Sequence, residues 1–91
     1  MIVVWSKVAI EDLVHLRSYI AKHNPTAAGE TAQAILDAVD RLRRFPASGR
    51  PGRLPHTREL VVSGTPFIIP YTARSDRIEI IAVLHGARKW P

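Results

Sequence analysis

From Thr57 to Leu84, three apolar runs rich in β-branched residues, Arg58–Ser63, Phe67–Ala73 and Arg77–Leu84, are separated by Ser63-Gly64-Thr65-Pro66 and by Arg74-Ser75-Asp76. Gly, Pro, Ser and Asp supply the backbone conformations that reverse a strand, so the stretch reads as a meander. In the last run Ile78, Ile80, Ala82 and Leu84 alternate with Arg77, Glu79, Ile81 and Val83, which turns the first set toward a core. Ile81 and Val83 leave the second face apolar as well, and such a face asks for a covering partner. Pro70 takes a donor out of the middle run and marks an edge or a bulge. The last run continues into His85-Gly86-Ala87-Arg88-Lys89-Trp90-Pro91, so an imidazole, two cations and an indole leave the sheet together. Exposed, loop-borne side chains of this kind are where a site is expected.

The first half is helical. After the strand formers Ile2-Val3-Val4-Trp5, Ser6 offers an N-cap hydroxyl, Glu11 and Asp12 fall in or near the first turn, and Lys22 and His23 in the last. Ile10, Leu13, Leu16 and Ile20, broadened by Ala9 and Val14, form the expected buried stripe. Asn24-Pro25 closes this helix and opens another, because Asn caps well and Pro is pre-set for the first helical position. The second helix, expected from Pro25 to Phe45, carries Ala28, Ala32, Ile35, Val39 and Leu42 as a seam and Arg41, Arg43 and Arg44 near its end. Leu13 and Leu16 should meet Ile35 and Val39. The segment from Phe45 to His56 is too rich in Pro and Gly to be helical and forms a basic crossover loop holding Arg50, Arg53 and His56. The predicted fold is therefore α+β, in the order β-α-α-β-β-β. A helical hairpin packs on one face of a mainly antiparallel four-stranded sheet, in a single domain spanning residues 1–91.

Composition narrows the function classes. With 46% hydrophobic and 23% charged residues the chain is an ordinary globular protein. It has neither a run of about 20 apolar residues nor the basic start of a signal peptide, which points to the cytoplasm and away from membranes. Zero cysteines exclude disulfides and thiolate chemistry. The four histidines lack ligand-like spacing, so no metal is expected. Gly49-Arg50-Pro51-Gly52 runs into prolines rather than a helix, so no nucleotide cofactor is expected either. Residues 1–46 hold six basic and five acidic side chains, and residues 47–91 hold seven and three, so four of the five net positive charges sit with the strands. Such a bias suits a polyanionic or acidic partner.

The order of elements, together with Phe45-Pro46 followed by Gly49-Arg50-Pro51-Gly52-Arg53, then Thr57-Arg58-Glu59-Leu60, Pro66-Phe67-Ile68-Ile69-Pro70-Tyr71 and the stretch from Arg77 to Pro91, resembles the RelE/ParE family of bacterial toxins. The resemblance covers essentially the whole chain. It implies the toxin of a type II toxin–antitoxin module of the plasmid-stabilisation kind, causing growth arrest and held in check by a cognate antitoxin. Two activities occur in that family. RelE-like members are mRNA interferases that cut message on the ribosome without a metal; ParE-like members inhibit DNA gyrase. In a nuclease, His85 would act as acid or base, with Arg58 and Arg88 on phosphate. RelE-like nucleases carry an arginine just after the aromatic that begins the middle strand, where this chain has Ile68, so the resemblance favours gyrase. The target-binding set is then Arg50, Arg53, Arg88, Lys89 and Trp90. A basic interaction domain without toxicity is the third class.

Each of these residues has a structural use beside the functional one. His85 can cap the last strand, Arg58 can pair with Glu79 across strands, and Trp5 and Trp90 can simply pack. Tyr71 belongs in a core or on an edge, with a hydroxyl able to reach phosphate.

Overall fold

Ser6 lies between the first strand and the first helix and serves both. In a computed structural model of the chain, which describes residues 1–88 and 90, β1 (Ile2–Trp5) ends at Ser6 and α1 (Lys7–Ala21) begins after it. The Ser6 hydroxyl accepts the Ala9 N–H at 3.0 Å, satisfying one of the donors a helix start leaves free. Asn24 does the same for α2 (Pro25–Arg41), its Oδ1 accepting the Ala27 N–H at 3.0 Å with Pro25 in the first turn. The charges expected near the helix ends fall elsewhere. The first turn of α1 holds no acidic residue and its last turn no basic one, because the helix starts at Lys7 and Lys22 is already its cap. Asp12 uses a carboxylate oxygen on the Val83 N–H instead, at 3.0 Å. Helix α2 stops at Arg41 rather than Phe45, so Arg43 and Arg44 lie in the turns beyond it.

The helices pack on one face of the sheet. Ala28, Ala32, Ile35, Ala38 and Val39 of α2 are buried, followed by Leu42. On α1 the buried line is Ala9, with Leu13 and Leu16 packed against the core. Ile10 and Val14, expected in that stripe, are 51% and 57% exposed. They sit one residue beyond Ala9 and Leu13, about 100° around the helix, and the small Ala9 rather than Ile10 takes the close approach.

The remaining strands are β2 (Arg50–Pro51), β3 (Arg58–Val61), β4 (Phe67–Ala73), β5 (Arg77–Ile80) and β6 (Leu84–His85). The sheet runs β1-β5-β4-β3-β2, with β1 parallel to β5 and the other pairs antiparallel, and β6 pairs back onto the start of β4. It is the expected α+β arrangement, with six strands where four were expected. The crossover loop contributes one short strand and the last run is broken in two.

Pro70 explains the break. Tyr71 faces Ile80 and Ile68 faces Leu84, so Ile69 and Pro70 on β4 stand opposite three residues, Ile81, Ala82 and Val83. One extra residue on one strand is a β-bulge. The Ile81 N–H donates to the Pro70 carbonyl at 2.9 Å, and in a regular pair the Pro70 N–H would answer. Proline has none. The Ile81 carbonyl takes the Ser6 hydroxyl instead, at 2.8 Å, while the Asp12 carboxylate takes the Val83 N–H. Side chains change faces across the bulge. Ile78, Ile80 and Val83 join Ile35, Val39, Leu42, Ile69 and Tyr71 in the main core. Ala82 and Leu84, expected on that side, lie with Ile68 on the opposite face, and Ile81 and Trp90 pack against them. The second face of the sheet is thus partly covered by the chain itself.

Candidate target-binding surface

Tyr71 fixes the basic loop. Its hydroxyl, buried beneath the loop, donates to the Pro46 carbonyl at 2.8 Å and accepts the Gly49 N–H at 2.9 Å. That leaves no free hydroxyl for phosphate. A Cβ at Gly49 would stand 2.6 Å from the Tyr71 ring, and one at Gly52 would overlap Thr57 Oγ1, so both positions need glycine for want of space. Arg58 then donates to the Gly49 carbonyl at 2.8 Å and the Ala47 carbonyl at 3.3 Å. Glu79, its expected partner, lies beyond β4 and is held by Arg74 at 2.6 Å and Arg77 at 3.3 Å.

Arg50 and Arg53 converge on Glu59, whose side chain is only 2% exposed. Arg50 donates through Nη2 at 3.0 Å and Nε at 3.3 Å to one carboxylate oxygen. The other oxygen accepts the Arg53 backbone N–H at 3.1 Å and lies 3.7 Å from the Arg53 guanidinium. Burial pushes the Glu59 carboxyl up, but these donors and the two positive charges outweigh it and hold the group below its ordinary value. Arg53 also reaches the Trp90 carbonyl, at 3.0 Å through Nη1. Sequence patterns gave Glu59 no role; its one signal is a lone acid on a strand that follows a basic loop.

His85 and Arg88 share a different surface. They line a groove of about 570 Å³ between α1 and the β4–β6 end of the sheet, with Asp12, His15, Tyr19 and Phe67. The His85 ring stands edge-on to Phe67, centroids 5.8 Å apart. Its Nδ1 accepts the Ala87 N–H at 3.1 Å, so in a neutral imidazole the proton is on Nε2. That ring can donate from its exposed edge, but its lone pair is already engaged.

Of the residues expected to form a nuclease centre, His85 and Arg88 share this groove and Arg58 stands apart from them. Arg58 pairs with Tyr71 and His85 with Phe67, four residues apart on β4. At about 3.3 Å per residue this separates them by about 13 Å along the strand. Of the target-binding set, Arg50, Arg53 and Trp90 lie on the open face of the sheet, Arg88 lines the groove with His85, and Lys89 is outside the described residues.

The acidic partners make stability pH-dependent. Hydrogen bonding from Arg74, then from Thr72, holds Glu79 at about 2 against an ordinary 4.5, and Glu59 is shifted in the same direction. A carboxyl held low in the folded state contributes stability above its unfolded value and loses it as the pH falls through the folded one. The thermal midpoint is accordingly expected to decline between about 4.5 and about 2, with Glu79→Gln making the decline shallower. An equally steep decline in that variant would show that these bonds do not set the profile.

The chain matches the family model described as ParE toxin of type II toxin-antitoxin system, parDE, over residues 3–90. It is 45% identical over 87 residues to the predicted toxin Y4kP of Sinorhizobium fredii, covering 96% of this chain and 90% of the relative. It is 36% identical over 86 residues to Toxin RelE2 of Caulobacter vibrioides, covering 94% and 96%. A solved chain from the chromosomal ParDE TA system of P. aeruginosa superposes with a TM-score of 0.85 at 25% identity, over 93% of this chain and 95% of the other. No helix among the described residues is long and apolar enough to cross a membrane. The chain belongs to the ParE toxin family of type II toxin–antitoxin systems.

Proposed function

We propose that the toxin arrests growth by docking on DNA gyrase. The observation that carries this reading is the separation of Arg58 from His85 and Arg88. Message cleavage requires a base, an acid and cations around one phosphate, and a single missing preorganised donor costs about 10²–10³ in rate. Here Arg58 is spent on two backbone carbonyls at the far end of β4, and the lone pair of His85 is engaged by Ala87. Ile68, where RelE-like nucleases carry arginine, is buried with Ala82 and Leu84. A gyrase inhibitor has no phosphoryl transition state of its own to stabilise. It needs a cationic surface of the kind that anchors interfaces, which Arg88 supplies beside the groove. The cognate antitoxin would neutralise it by occlusion, laying an acidic amphipathic segment along the groove whose rim carries His15, His85 and Arg88.

Purified toxin is expected to block supercoiling by gyrase, and Arg88→Glu to require at least about tenfold more protein for the same inhibition, as for loss of an interface anchor. Ribosome-dependent message cleavage abolished by His85→Ala, with supercoiling untouched, would establish the nuclease instead.

A further inference from the structure

We propose that Glu59 is a positioning residue that, through Arg53, latches Trp90 onto the open face of the sheet. Three observations converge on it. The Trp90 side chain packs over Ile68, Ala82 and Leu84, apolar groups that the bulge has placed away from the helices. The Trp90 carbonyl accepts from Arg53 at 3.0 Å. Arg53 is itself held twice by the buried Glu59, through its backbone N–H and its guanidinium.

The arrangement is a relay from a fixed point. Glu59 sits on β3 with its side chain 2% exposed, and Arg50 satisfies its other oxygen. An uncompensated carboxylate at such a depth is costly, so the two arginines are needed there whatever else they do. Arg53 has a second guanidinium nitrogen left over, and that nitrogen takes the Trp90 carbonyl. On the β6 side of Arg88, the Gly86 backbone N–H donates to the Pro66 carbonyl at 2.7 Å and the Arg88 backbone N–H to the His85 carbonyl at 2.9 Å. Arg88 is therefore held between a strand on one side and the latch on the other. On the reading that Arg88 meets gyrase, Glu59 orders a docking cation that it never touches.

The Trp90 Nε1–H is buried with no partner among the described residues, and its exchange with solvent reports the opening of the latch. NMR on the full chain can follow the Trp90 indole, with the backbone amide of the fully buried Ile35 in α2 as an internal control for global opening. In Glu59→Gln the Trp90 indole is expected to exchange about tenfold faster while the Ile35 amide is unchanged, as for loss of a charge-assisted bond. Arg53→Ala should give the same acceleration, and the double variant no more than either alone. Arg50→Ala, which loses a Glu59 contact but none to Trp90, should accelerate Trp90 less than Arg53→Ala does. Unchanged Trp90 exchange in Arg53→Ala would overturn the latch, as would additive effects in the double variant or equal acceleration of the Trp90 indole and the Ile35 amide. Should Glu59→Gln fail to fold, the Arg53 and Arg50 variants decide the question alone. None of these readings involves gyrase, so failure of Arg88→Glu to weaken gyrase inhibition would remove the target reading and leave the latch standing.

Discussion

Replacing Ile35 with alanine is expected to destabilise the protein by about 2–5 kcal/mol, the range for truncating a fully buried aliphatic side chain. Ile35 is completely inaccessible and lies in the cluster that joins α2 to Ile69, Ile78 and Ile80 of the sheet, with Leu13 and Leu16 packed against its edge. Ala32 and Ala38 on the same face are already small, so no neighbour there has bulk to spare. Small domains are stable by about 5–15 kcal/mol in total, so the variant should lose a large part of its margin. Urea unfolding of both proteins measures the difference, and a shift below about 1 kcal/mol would mean that the hairpin collapses into the cavity.

Tyr71→Phe is expected to cost about 1–3 kcal/mol although it removes a single oxygen atom. That oxygen is the partner of two backbone groups 22 and 25 residues away, the Gly49 N–H and the Pro46 carbonyl. Gly49 is buried, and a Cβ there would collide with Tyr71, so the loop lies directly on the ring. Phenylalanine preserves that contact and leaves the Gly49 donor without an acceptor. The effect should be local as well as global, with the Gly49 amide exchanging faster than the amides of α2. Unaltered exchange at Gly49, together with unaltered stability, would show that water replaces the hydroxyl at no cost.

Local chemistry made much of this fold legible. The caps at Ser6 and Asn24, the proline that opens α2 and the turns between strands each act within three or four residues, and each is where the sequence places it. The bulge was half visible. Pro70 announced that a ladder bond must be missing, but what replaces it comes from Ser6 and Asp12, more than 70 residues before Ile81 and Val83. Because Ile81, Ala82 and Val83 are all apolar, no change of polarity marks the point where the strand changes faces. The buried line of α1 was ambiguous for a similar reason, since Ala9 and Ile10 are both apolar and packing, not hydropathy, selects the smaller.

Among the candidate site residues, the cations could be read and their partners could not. Arg50, Arg53 and Arg58 stand out in a basic loop, yet what they bind is a carboxylate on the next strand and two carbonyls of the loop itself. His85 and Arg88 share a groove, and only two residues, Gly86 and Ala87, separate them, a proximity that sequence does show. The separation of Arg58 from His85 depends on strand register, which is fixed by pairing and by the bulge.

The parallel pairing of β1 with β5 has a consequence for how the toxin comes into being. Ile2–Trp5 finds its partner only in Arg77–Ile80, and Ser6 completes its hydrogen bonds on Ile80 and Ile81. On a growing chain the helical hairpin can form early from local contacts, whereas β1 waits, unpaired and apolar, for a strand made some 70 residues later. The interval in which the nascent chain is most exposed is therefore also the interval in which the groove beside His85 does not yet exist. That groove is complete only once β5 and the bulge have been made, at the very end of the stretch that builds the sheet.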